Sequence, residues 1–166
     1  MQIQTYSVVV RTIHRKNVCF LNIRIMELED YEDVYSLWLN TPNMGMNSLD
    51  DSKSGIAKYL LRNPNTCFVA ERDGSIVGVV LSGHDGRRGY IYHAAVATTE
   101  QQQGIGTTLV GTAIAALERE GIHKVALLAL RKNDAGNAYW EKQGFTTRDD
   151  LIYRNKTITE AIVIRT

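Results

Sequence analysis

A chain of 166 residues, 44% of them hydrophobic, has room for one domain with an ordinary core and none for a second. Nineteen basic residues stand against eighteen acidic ones, and they cluster no further than the pairs Arg15-Lys16, Arg87-Arg88 and Arg131-Lys132, which argues against a nucleic-acid groove. Cys19 and Cys67 are too few for a disulfide framework and share no metal-ligand spacing with His14, His84, His93 or His123, so neither a staple nor a metal is expected. The opening MQIQTYSVVVRTIHRK holds no sustained apolar run, and no segment approaches a membrane span; a soluble, cytoplasmic protein is expected.

Residues 1–22 read as an N-terminal extension to a single domain over 23–166. The alternation Ile3, Thr5, Ser7, Val9 has β-propensity, as an extra strand or as an arm that adds to a sheet edge of the same or a neighbouring molecule. Asn22 to Glu27 reads as a strand, and Asp30 to Leu39 as a helix with Val34, Leu37 and Trp38 at apolar spacing, ended by Pro42 and Gly45. A second helix follows from about Asp50 to Leu61. Thr66 to Glu71 and Ile76 to Leu81, joined through Asp73-Gly74, form a hairpin, because Asp-Gly supplies the positive φ of a tight turn.

Gly83 to Gly89 reads as a solvated turn, Arg88 to Ala97 as the central strand, and Gly104 to Glu120 as a helix. Lys124 to Leu130 is apolar on both faces and predicts a buried parallel neighbour of the central strand. A last helix runs from about Ala135 to Gln143, and the residues from Phe145 onward, including LIYRN and EAIVIRT, supply closing strands.

The chemistry concentrates where the central strand meets its helix through Gln101-Gln102-Gln103-Gly104-Ile105-Gly106-Thr107. Two glycines let backbone approach a ligand, and the first amides of a helix lack carbonyl partners, so the stretch is an anion cradle suited to phosphate. A Gly-x-Gly with no third glycine, and no acidic residue ending a following strand, argues against a dinucleotide-binding oxidoreductase.

The spacing Gln-x-x-Gly-x-Gly, five residues after Val96, resembles the acetyl-CoA signature of the GNAT N-acetyltransferase family. The stretch Asn133 to Phe145 (NDAGNAYWEKQGF) resembles that family's second motif. The resemblance covers roughly Asn22 to the C-terminus. It implies an α/β (α+β) fold in which a mixed central sheet, with a splayed central strand pair, is flanked by about four helices. It implies acetyl-CoA as co-substrate and a small-molecule or peptide amine as acceptor, in a chain that can form a homodimer. A bulge near Ala94, Ala95 and Val96 would expose backbone groups to the pantetheine arm. Residues 101–107 would hold the pyrophosphate, and Asn133 would make a polar contact to the cofactor. Tyr35, Trp38, Met44 and Met46 are candidates for the acceptor side of the cleft.

Two positions depart from the family pattern. Where many members carry a glutamate base and a tyrosine acid, this chain has Tyr92 and Trp140. An indole cannot protonate a thiolate, so Trp140 reads as a wall against the pantetheine, with Tyr139 about 100° further round the helix. His93 has a reference pKa of about 6.5, suited to a base, but alternation puts it on the face opposite positions 90 and 92 unless a bulge reverses it. The candidate catalytic residues are therefore His93, Tyr92 and Tyr139. The two functional readings are direct acetyl transfer in a ternary complex and, from the missing acid and base, a non-catalytic acyl-CoA-binding regulatory module.

Overall fold

The computed structural model describes residues 7–14 and 17–166. Ile3 and Thr5 of the extension lie outside the described residues. β1 (Ser7–His14) and β2 (Asn17–Ile25) form an antiparallel hairpin, so the first strand begins ahead of the expected Asn22 and the extension supplies an edge strand to the same sheet.

After a turn of 3-10 helix come α1 (Tyr31–Leu39), the short β3 (Met46–Asn47) and α2 (Lys53–Arg62). β4 (Phe68–Arg72) and β5 (Ser75–His84) make the expected hairpin, with positive φ at Asp73 and Gly74 and the pairing Arg72↔Ser75 closing the turn. β5 runs on through Gly83 and His84, so these residues belong to the sheet rather than to the polar turn. A β-carbon on Gly83 would lie 2.5 Å from the Asn63 side chain, which is why the position is glycine. β6 (Gly89–Val96) leads through a second 3-10 turn into α3 (Ile105–Arg119), followed by β7 (Val125–Leu127), α4 (Asp134–Lys142) and β8 (Val163–Ile164).

The main sheet has the order β1-β2-β4-β5-β6-β7, antiparallel throughout except for β6 and β7. Strand alternation feeds a core on each face. Ile23, Phe68, Ala70, Val80 and Ile91 pack under Ile105, Leu109, Val110, Ala113 and Ala116 of α3, with Tyr139, Trp140 and Phe145 from the α4 region against them. On the other face Val69, Val79 and Leu81 meet Val34, Leu37 and Trp38 of α1 and Ile56 of α2. The result is a mixed α/β architecture, two helices on each side of the sheet.

The C-terminal third departs from expectation. Strand pairing in 124–130 is confined to Val125–Leu127, which is half-buried, and Leu128 and Leu130 are exposed. The LIYRN stretch forms no strand, and of EAIVIRT only Val163–Ile164 does, paired with β3 instead of the main sheet. Among the described residues β7 is an edge strand with β6 as its one neighbour, and β-propensity in the later stretches does not by itself supply a partner strand.

Candidate active site

The cradle is shaped by the backbone. Gln102 takes φ 61° and Gly104 φ 82°, a left-handed conformation that turns the chain directly into α3. Ser52 and Asn133 accept amide hydrogen bonds from Gly55 and Gly136 and so cap α2 and α4, whereas α1 and the longest helix, α3, have no side-chain cap among the described residues. The leading amides of α3, at Ile105, Gly106 and Thr107, have no such cap and are therefore suited to the oxygens of an anion.

The loop is braced from behind. Arg72, at the end of β4, pairs with Glu100 and donates to Gln103 Oε1 at 2.9 Å. Gln101 Nε2 donates to the Val96 carbonyl at 3.1 Å, and Gln143 Nε2 donates to Thr107 Oγ1 at 3.2 Å. Gly106 lies beneath the Tyr139 hydroxyl, which a β-carbon there would meet at 3.4 Å. Sequence reading missed Arg72, because a single basic residue on a hairpin strand carries no mark of a contact made twenty-eight positions later.

Beside the cradle the central strands part. β6 pairs with β7 through Gly89↔Val125, Tyr90↔Ala126 and Ile91↔Leu127, and the pairing stops there. On its other side β6 pairs Ser82↔Ile91 and then Leu81↔His93, so Tyr92 is the extra residue of a bulge. The bulge expected near Ala94 to Val96 thus falls two residues earlier, directly after Ile91↔Leu127, the last pair between β6 and β7. From Tyr92 to Val96 no strand of the described residues pairs with the strand's β7-facing edge. Ala94, Ala95 and Val96 lie on this edge, contiguous with Gln101–Thr107.

The bulge also resets the faces. Ile91, Ala94 and Val96 point toward α3, while Tyr92 packs edge-on against Tyr59 of α2 at 5.7 Å and His93 lies 5.0 Å from the Trp38 ring of α1. Tyr90, Tyr92 and His93 share the α1/α2 side. His93 Nε2 is 2.7 Å from Asp51 Oδ1, and both side chains are almost closed to solvent. An ionised carboxylate can only accept, so in this contact Nε2 carries the proton. Nδ1 is buried without a hydrogen-bond partner among the described residues. Asp51 is itself fixed: its Oδ2 accepts from the Asn47 amide at 2.6 Å and its carbonyl from the Tyr31 hydroxyl at 3.0 Å.

The other candidates take distinct places. Tyr92 is exposed, and burial of part of its ring, with Tyr90 and Asp85 nearby, raises its pKa, so it is a phenol and not a base at neutral pH. Burial pushes the Tyr139 phenol up to about 12. Trp140 stands edge-on between Tyr139 and Phe145, at 4.9 and 5.4 Å. Asn133 spends Oδ1 on the α4 cap at 3.0 Å. On the acceptor side Trp38 and Met46 are core side chains, while Tyr35 and Met44 are half-buried around them. A cavity of about 340 Å³ opens on this side between Tyr59, Asn63, Gly83, Asp85, Tyr90 and Tyr92. A larger one, about 540 Å³, lies between Asp33, Ser36 and Asn40 of α1 and Ile76 and Ala97, apart from the His93 pair.

A helix with bare N-terminal amides, entered from a strand that bulges and leaves its parallel neighbour, is the arrangement that the two sequence motifs implied. The sequence model of the Acetyltransferase (GNAT) family matches residues 30–145. The chain belongs to this family. An acetyltransferase of Pectobacterium atrosepticum is 30% identical over 140 residues, 84% of this chain and 98% of its own length. An acetyltransferase of Yersinia pestis is 29% identical over the same shares. Among solved structures, the PaiA N-acetyltransferase of Thermoplasma acidophilum in complex with coenzyme A superposes with a TM-score of 0.69 at 19% identity, covering 78% of this chain and 91% of that one; it shows the shared fold. As a GNAT acetyltransferase the chain is an enzyme. Among its described residues no helix is long and apolar enough to cross a membrane.

Proposed function

We propose that this acetyltransferase moves the acetyl group of acetyl-CoA to an amine, of a small molecule or a peptide N-terminus, by direct attack within a ternary complex. The observation that carries the reading is the bulge at Tyr92, which opens the edge of β6 beside the uncapped start of α3 and turns His93 to the acceptor side in the same step.

The cofactor residues follow from position. Amides of Gln102 to Thr107 hold the pyrophosphate, while backbone groups of Ala94, Ala95 and Val96 pair with the amide groups of the pantetheine arm, as an added strand would. The Asn133 amide and the Trp140 ring are the further cofactor contacts that the second motif suggests. A freed amide next to the bulge is suited to polarise the thioester carbonyl, where a fixed donor is worth most in the transition state.

For transfer the amine must be neutral. A lysine-like amine, with pKa about 10.4, is only about one part in a thousand neutral near pH 7.4, whereas an α-amine near 7.7–8 is tens of per cent neutral. The base for the remaining proton is His93, held by its hydrogen bond to Asp51. No acid is needed for the leaving group, since an ordinary thiol has a pKa of about 8.5 and its thiolate departs unaided near neutral pH. A phenol held at about 12 would in any case give up its proton only uphill.

A covalent acetyl-enzyme finds no support in Cys67, whose thiol is buried, donates to the Ser82 carbonyl at 3.1 Å and is pushed up to about 12. The test is thiol release from acetyl-CoA over a panel of α-amino compounds, polyamines, aminoglycosides and lysine peptides. Release with α-amines, and little with lysine side chains, is the expected result. Turnover confined to lysine side chains would overturn the acceptor assignment, and none with any amine would overturn the catalytic one.

A further inference from the structure

The cavity of about 340 Å³ on the α1/α2 side is walled by phenol rings. Tyr59 of α2 and Tyr92 of β6 stand edge to face at 83°, their centroids 5.7 Å apart, and Tyr90 lies 5.9 Å from Tyr92 at 30°. The polar groups beside these rings are already engaged. Asn63 Oδ1 accepts from the His84 amide at 3.1 Å, and its Nδ2 donates to the Tyr59 carbonyl at 3.2 Å. His84 Nδ1 accepts from the Gly86 amide at 3.0 Å, while Nε2 meets Glu120 at 2.8 Å. Asp85 Oδ1 accepts from the Arg87 and Arg88 amides at 2.8 and 2.7 Å. Arg62 and Asp85, the exposed charged residues of the lining, are of opposite sign and give the rim no net charge. What the cavity offers a ligand is therefore ring surface.

Size and position agree. A cavity of about 150 Å³ holds benzene, so this one admits a substituted aromatic ring. Rings take edge-to-face or offset neighbours at centroid distances of about 4.5–7 Å, the spacing that the three tyrosines keep among themselves. Tyr92 directly precedes His93, and the bulge turns both to the same side of the sheet. A ring held against Tyr92 thus lies about one strand residue, roughly 3.3 Å along β6, from His93.

We propose that this cavity is the specificity pocket for the acceptor and takes an aromatic ring as close to the reacting amine as an aromatic side chain is to its own α-amine. The acceptor is then an aromatic α-amino compound, free or at the start of a peptide. The assignment of the amine rests on the acetyltransferase reading; binding of the ring does not.

Calorimetry of α-amino amides with the CoA-loaded full chain tests ring binding, and thiol release from acetyl-CoA follows with the same panel. Phenylalaninamide, tyrosinamide, leucinamide, lysinamide and alaninamide share an α-amine and lack a carboxylate, so their order reports the side chain alone. The two aromatic amides are expected to bind at least about tenfold more tightly than leucinamide and alaninamide, with KM in the same order. Tyr90 is 39% exposed, so Tyr90→Ala should leave the thermal transition and the binding of acetyl-CoA and alaninamide unchanged. It should abolish the aromatic preference, and Tyr90→Phe should restore it. A panel bound without preference, or led by lysinamide, overturns the ring pocket, and so does a preference that survives Tyr90→Ala. Aromatic binding that Tyr90→Ala removes, with no thiol release from any amide, would uphold the pocket and contradict the transferase reading instead. A peptide beginning with phenylalanine, titrated beside phenylalaninamide, separates the two sources: tighter binding of the peptide assigns the pocket to a chain terminus, and equal or weaker binding to a free small molecule.

Discussion

His93 illustrates how one backbone irregularity decides a side chain's role. Without the extra residue at Tyr92, His93 would face α3 and the hydrophobic core; with it, His93 meets Asp51 beside Trp38. The account predicts that His93→Ala lowers kcat by about 10²–10⁴-fold, the usual worth of a positioned base, with acetyl-CoA affinity unchanged. Steady-state thiol release and calorimetry together check this. Asp51→Asn should reduce kcat less, and should alter the pH profile, because the amide can no longer enforce the proton on Nε2. An unaltered profile would make Asp51 a structural residue only. Asp51 was not legible in the sequence, where Asp50-Asp51 before a helix looks like capping chemistry. The pair is forty-two positions apart, and only the α1/α2 packing brings it together.

Among the elements, the turn that leads into α1 is held by charge. Arg24 of β2 donates to both carboxylate oxygens of Asp30 at 2.7 and 2.8 Å and to Glu71 of β4 at 3.0 Å, tying the helix entry to two strands. Burial acts to raise the Asp30 pKa, but the hydrogen bonds from Arg24 and the Glu27 amide outweigh it, and the net direction is down. A depressed folded pKa contributes stability above the unfolded value of about 3.9 and loses it as pH falls through the folded one. Asp30→Asn should accordingly unfold at lower denaturant near neutral pH, by about 1–3 kcal/mol, with the gap to wild type narrowing in acid. Equal gaps at both pH values would contradict the charge assignment. At α2, Ser52→Ala removes the cap on Gly55 and should cost about 1 kcal/mol. Since Ser52 directly follows Asp51, some loss of turnover should accompany it. These helices were readable in advance because apolar spacing and the Asp-Gly turn act locally, whereas the Arg24 network joins residues far apart in sequence.

The molecule as a whole was legible up to about Phe145, except that β5 runs through Gly83 and His84 and β7 is confined to Val125–Leu127. The order of strands and helices, the hairpin and the strand-to-helix cradle all follow from patterns that short windows carry. The closing strands did not, and the reason is physical: β-propensity in LIYRN and EAIVIRT says that these residues suit a strand, not which edge will accept them. The bulge position was misplaced for a similar cause, since the point where β6 leaves β7 depends on how far β7 extends.

The claim on which the rest depends is that residues 101–107 hold the phosphates of acetyl-CoA. It is tested most directly by calorimetric titration of acetyl-CoA into the wild type and Gly104→Val. Gly104 sits at φ 82° with open space where a β-carbon would go, so the substitution strains the turn and fills the approach to the amides without touching the core. The account predicts binding to the wild type and at least about a tenfold loss in the variant, a difference of roughly 1.4 kcal/mol or more, with both proteins folded by circular dichroism. Equal affinity in the two would contradict it and move the cofactor away from the start of α3.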